Sequence, residues 1–141
     1  MSDVSKPSPL YWLVAVLAVM FGIGLVYDWW MLNAAPPHDA YAQEMIAWIR
    51  SFPIWRQLVW GVSVVTGAVG GITLLLRRRW AVTLYMISFV TLLGGFIGHD
   101  LLLADGVEKY GSGGLIASTV LILLTGLFWA YARQARGKGW L

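Results

Sequence analysis

Of the 141 residues, 59% are hydrophobic and only 12% charged, with a formal net charge of +3 and no cysteine. That balance excludes an ordinary soluble domain, and the missing cysteines exclude disulfides and thiolate metal sites. The basic residues stand beside apolar runs, where cations anchor topology and headgroups, so nucleic acid is not expected as a partner.

The first apolar run spans about residues 10–30, entered through Pro7, Pro9 and Tyr11-Trp12 and left through Tyr27 and Trp29-Trp30, so aromatic residues mark both interfaces. With Lys6 before it and Asn33-Ala34-Ala35 after it, the run mimics a signal peptide. It is too long for an ordinary signal core, and a retained first helix is expected. The segment from Asn33 to Phe52 is the only sizeable stretch outside the spans. After Pro36-Pro37, Asp39 is placed to cap a short amphipathic helix on which Met45, Trp48, Ile49 and Phe52 recur at helical spacing. Such a helix either lies flat in the headgroup boundary or folds over the bundle as a lid.

The second span covers about 54–76 and stops at Arg77-Arg78-Arg79, a triple charge too costly for hydrocarbon. Trp80 follows at once, so the third span, about 81–103, forms a tight antiparallel hairpin with the second. The linker Asp105 to Gly113 is short and glycine-rich. Gly111, Gly113 and Gly114 read as a turn into a helix start rather than as a phosphate cradle. The fourth span, about 114–131, ends in Arg133, Arg136 and Lys138. The fold class is therefore all-α: one integral-membrane four-helix bundle over residues 1–141, with no separate soluble domain.

Lys6, Arg77, Arg78, Arg79, Arg133, Arg136 and Lys138 collect on one side. The other side holds Arg50, Arg56 and Lys109, offset by Asp39, Glu44, Asp105 and Glu108. This asymmetry places both termini in the cytoplasm, with the Asn33–Phe52 loop outside.

Lipid gives helices no hydrophobic drive to associate, so small residues must let them approach. Ser63, Gly67 and Gly71 form such a stripe on the second helix, Gly94 and Gly98 on the third, and Gly114 and Ser118 on the fourth. The stripes are expected to hold the monomer together; the sharper reading is that one of them makes a homodimer.

Ionisable residues near membrane depth are the candidate polar site: Asp28, His99 and Asp100. All three fall near the outer ends of their helices, where a carboxylate within reach of the headgroups is hydrated and needs no partner. The repeated pairs His38-Asp39 and His99-Asp100 match no metal-ligand spacing, and neighbours along a helix point in different directions. No metal and no cofactor are expected, a lone His99 as axial ligand to a tetrapyrrole being the minor alternative. Serines and threonines within the spans have no base at a recognisable spacing, so no enzymatic signature is present. Of the nine tryptophans, Trp12, Trp29, Trp30, Trp55, Trp80 and Trp129 lie near interfaces, as an aromatic belt.

The run Pro53, Trp55, Trp60, Val64, Gly67, Gly70, Leu74-Leu75-Leu76-Arg77, Trp80-Ala81-Val82 and Ser88 resembles a family of small four-span bacterial membrane proteins often labelled "sugar transporter" by automatic transfer. Gly24-Leu25-Val26-Tyr27-Asp28 and Tyr41 extend the resemblance over most of the chain. It implies the bacterial inner membrane, and a histidine late in the third helix that His99 approximates. It brings no established active site, and no midplane carboxylates, Asn or stacking aromatics here look like a sugar site.

Two functions are carried forward. One is an accessory subunit that docks through its apolar sides to other subunits of a larger membrane complex, respiratory or photosynthetic. The other is a homo-oligomeric solute transporter coupled through Asp28 or Asp100.

Overall fold

The computed structural model describes residues 6–141 and holds five helices among them: α1 (Pro9–Asn33), α2 (Gln43–Arg50), α3 (Ile54–Leu75), α4 (Trp80–Gly95) and α5 (Gly106–Gly137). A π-helical turn, Phe96–Leu101, continues α4 without a break. Four stretches are long and apolar enough to cross a membrane: Pro9–Asn33, Ile54–Leu75, Trp80–Leu101 and Gly106–Gly137. Helices are what such sequences must form in lipid, because only intrahelical bonds satisfy every backbone N–H and C=O there. The chain is a multi-pass membrane bundle.

The long helices alternate in direction, and α3 sits between α1 and α4, its two most extensive neighbours. Glycines set both distances. A Cβ on Gly71 would stand 2.7 Å from the Ala18 carbonyl oxygen, and one on Gly22 2.7 Å from Ala68 Cα, so α1 and α3 touch backbone to backbone. Beside that contact on α3, Gly67 receives both Leu25 of α1 and Ser88 of α4, Gly70 receives the Tyr85 ring, and Ser88 Oγ donates to the Ser63 carbonyl at 2.7 Å.

Helix α5 is held by rings instead: Tyr85–Phe128 and Phe89–Trp129 stack from α4, and Phe21–Phe128 and Tyr11–Tyr131 close the seam to α1. Gly126 lies under Phe89. The two modes divide the bundle into a tight α1–α3–α4 layer and a more loosely spaced fourth helix.

Three expectations from the sequence need correction. A Cβ on Gly94 or Gly98 would meet nothing within 4 Å, and both glycines are exposed; the packing glycine of that segment is Gly95, on the buried face. Gly114 packs only on Tyr110 of its own helix, and Ser118 lines a cavity rather than a helix seam. The fourth helix begins at Gly106, not Gly114. Gly111 kinks it with φ 63° and ψ −179°, a conformation open to glycine, so that the segment which looked like a turn carries Tyr110 into the bundle.

Where α3 meets α4, Arg77 takes φ 56° and its Nε donates to the Trp140 carbonyl at 2.8 Å. The residues after α5 reverse at Gly139, φ 70°, and lay the Trp140 ring 5.8 Å from that of Tyr11, whose hydroxyl donates to the Leu74 carbonyl. The basic end is thereby tied into one platform.

Candidate functional site: a lidded ion pair

The opposite end of the bundle is capped by α2. Its helix starts at Gln43 with Ala42 as the preceding residue, so Asp39 does not cap it. Of the two placements open from the sequence, the structure has the lid. Ile46 and Ile49 are buried with Leu32 and Phe52, and Trp48 and Trp60 pack against that cluster. The lid is bolted down by long side chains reaching carbonyls: Trp48 Nε1 to Ala104 at 3.1 Å, Arg50 to Leu32 and Ala35 at 3.1 and 2.9 Å, and Gln57 Nε2 to Ile49 at 2.9 Å.

Beneath it lies a charged pair that the sequence did not disclose. Arg56 donates from Nε to Asp100 Oδ1 at 2.8 Å and from Nη2 to Oδ2 at 2.6 Å, a bidentate fork with 4% and 0% of the two side chains exposed. The expectation that Asp100 is hydrated at the interface and needs no partner is therefore overturned. Each carboxylate oxygen has a second partner: His99 Nδ1 lies 2.9 Å from Oδ1, and the Tyr110 hydroxyl donates to Oδ2 at 2.8 Å. Against a carboxylate oxygen that already accepts from Arg56, the His99 contact is a hydrogen bond when the proton is on Nδ1.

The wide π turn explains how consecutive residues His99 and Asp100 both face inward. Its i+5 bond, Leu102 N–H to the Ile97 carbonyl at 3.3 Å, widens the turn and narrows the angle between neighbours. Gly95 completes the seat, since a Cβ there would fall 2.9 Å from Arg56 Cζ. The guanidinium also lies over the Phe52 and Trp60 rings, with centroids at 5.7 and 5.9 Å. The His99 ring meets those of Phe52 and Trp55 edge-on.

Asp28 is placed apart from this pair and bonds Tyr41, whose hydroxyl donates to Oδ1. Burial, and then the hydrogen bond and charge of Asp28, push the Tyr41 phenol above its ordinary range, so it remains a donor at any physiological pH. A cavity of about 70 Å³ separates the two groups, bordered by Asp28, Arg56, Tyr110 and Ser118 on its polar side and by Leu25, Leu92, Phe96 and Ile122 on its apolar side. A space of that size and lining suits about two or three waters.

Of the residues singled out from the sequence, His99 and Asp100 are brought together, and Asp28 faces them across the cavity. His38 stands elsewhere, bonded through Nε2 to the Met31 carbonyl at 2.9 Å. Among the described residues no cluster of three or more His, Cys, Asp or Glu is arranged to hold a metal. Sequence reasoning missed Arg56, Tyr110 and Tyr41. The available signal was an arginine one turn into an apolar helix, at the same depth in the hairpin as an aspartate on its neighbour.

No protein-family model matches the chain, and no curated protein or solved structure matches it significantly.

The Tyr41–Asp28 bond ties the loop before the lid to α1. Tyr41→Phe removes this hydrogen bond and leaves the half-buried Asp28 carboxyl without it, a loss worth about 1–3 kcal/mol. Hydrogen exchange followed by mass spectrometry should show amides of 38–50 exchanging at least tenfold faster while α3 and α4 keep their protection. Unchanged exchange in 38–50 would mean that the lid is held without this bond.

Proposed function

We propose that the chain is a small accessory subunit of a bacterial cytoplasmic membrane that docks beside a larger membrane complex, respiratory or photosynthetic, with both termini in the cytoplasm. The observation that carries this reading is that the buried charges satisfy one another: Asp100 accepts from both arms of Arg56 and from the Tyr110 hydroxyl and lies against His99 Nδ1, and Arg56 is spent on Asp100 and on flanking rings. Between that pair and the basic end, the buried residues include Val64 and Leu74, the small hydroxyls Ser63 and Ser88 and the phenol of Tyr85, and none of the buried described residues there is an Asp, Glu, Lys or Arg. A sealed, internally neutralised pair acts as a staple that fixes the shape of one end, which is what a docking face requires. Exposed apolar side chains run along the outward sides of the long helices.

The orientation draws on charge. Seven basic residues stand at the end carrying the termini, while the lidded end holds three basic and six acidic residues, Asp28 and Asp100 among them.

Transport by a homo-oligomer is the second reading, and the cavity beside Asp28 favours it, as does the label attached to the family the sequence resembles. Extraction of the tagged protein from its native membrane in mild detergent separates the two. Stoichiometric co-purification of other membrane subunits is expected. A clean monomer or homodimer would overturn the accessory reading; uptake of a solute into vesicles, lost in Asp28→Ala, would replace it with transport.

A further inference from the structure

The basic end carries a feature that neither docking nor transport uses. On α5, Val120, Leu123, Leu127 and Ala130 are exposed at intervals of three and four, so they form one continuous apolar track along the lipid-facing side of the helix. The track runs directly into a surface pocket of about 450 Å³ lined by Ala130, Arg133, Gln134, Arg136 and Gly137. Arg133 is steadied there by the Trp129 ring, 5.5 Å from its Cζ.

Among the described residues all acidic side chains belong to the other end of the bundle, so no carboxylate side chain nearby neutralises these guanidinium groups. The pocket is also fixed in place. The residues following α5 fold back onto the α3–α4 turn through Arg77 to the Trp140 carbonyl and Arg79 to the Leu141 carbonyl, at 2.8 and 3.4 Å.

We propose that this pocket binds the phosphodiester of an anionic phospholipid, with one acyl chain lying along Ala130, Leu127, Leu123 and Val120. The guanidinium groups of Arg133 and Arg136 hold the phosphate oxygens, and the Gln134 amide donates to an oxygen or to a glycerol headgroup. Neither a soluble anion nor a zwitterionic lipid matches both halves of the site: the first leaves the track unused, and the second brings a cationic headgroup against two arginines. The acyl track makes the ligand a lipid, and the two cations, offset by no acidic side chain among the described residues, make it an acidic one.

Native mass spectrometry of the full chain in detergent, titrated with phosphatidylglycerol or phosphatidylcholine, tests the site. Phosphatidylglycerol should bind roughly thirtyfold more tightly than phosphatidylcholine. Each guanidinium removed should cost about fivefold, so R133Q/R136Q should lose roughly thirtyfold and fall to the level of the zwitterionic lipid. Both side chains are exposed, and helix content by circular dichroism should not change. R78Q, a charge at the same end but outside the pocket, should keep most of the preference. Equal adducts for the two lipids, a preference that survives R133Q/R136Q, or an equal loss in R78Q would each overturn the proposal. So would displacement of the lipid by inorganic phosphate, which would show an anion site without a role for the track.

Discussion

Asp100→Ala should lower the stability of the bundle by about 3–5 kcal/mol, because it leaves a buried guanidinium with no counter-charge. Arg56 has no easy route to water. Phe52 and Trp60 lie over it, Gly95 lies beneath, and α2 closes the end through Ile46 and Ile49. The loss is larger than removal of an exposed ion pair would give, since those are worth at most about 1 kcal/mol. It also strands the Tyr110 hydroxyl and the His99 Nδ1 proton, which share the same carboxylate. Replacing both partners with apolar residues of similar volume, as in R56M/D100L, should restore most of the stability, because the desolvation cost disappears with the charges. Thermal melting of the purified proteins followed by circular dichroism compares the three. If Asp100→Ala melts with the native protein, the guanidinium reaches water past the lid and the pair is no staple.

The same pair shows where the sequence was legible. Four spans, the hairpin at Arg77-Arg78-Arg79 and an amphipathic helix between the first two spans all follow from hydropathy and helical spacing, which are local properties. The pairing of Arg56 with Asp100 is not local. It depends on the register of the α3–α4 hairpin over 44 residues and on a π turn that no composition signals. Without that register, Arg56 looks like one more interfacial cation and Asp100 like a hydrated carboxylate.

The segment from Gly106 to Gly113 misled for a related reason. Its glycines argue for a loop, and only the packing of Tyr110 against Trp48 and Phe96 makes a helical turn there worthwhile. Gly106 is itself required by a tertiary contact, since a Cβ would lie 2.4 Å from the Asp100 carbonyl oxygen. The small-residue stripes were half legible: spacing identifies glycines on one face, but only the assembled bundle shows whether that face meets a helix or lipid.

That distinction gives the second large effect. Gly71→Ala should cost about 2–3 kcal/mol, at the upper end for an inserted methyl, whereas Gly94→Ala and Gly98→Ala should be neutral or slightly stabilising. All three substitutions are chemically identical and all lie in apolar helices. At Gly71 the added methyl would meet the carbonyl carbon and oxygen of Ala18 at 2.9 and 2.7 Å and the Val19 nitrogen at 3.0 Å. Backbone atoms cannot swing aside, so the helices themselves must part, and the van der Waals contact that stands in for a hydrophobic drive in lipid is lost along the seam. At Gly94 and Gly98 the methyl enters open space and only the helix propensity changes. Gly22→Ala forces the same separation from the α1 side, through Ala68 Cα at 2.7 Å. The double variant G22A/G71A should therefore cost clearly less than the sum of the singles, because one displacement relieves both clashes. Melting temperatures of the four single variants and the double check this. Equal effects at Gly71 and Gly94 would show that α1 and α3 do not approach backbone to backbone, and strict additivity would show that Gly22 and Gly71 do not share one seam.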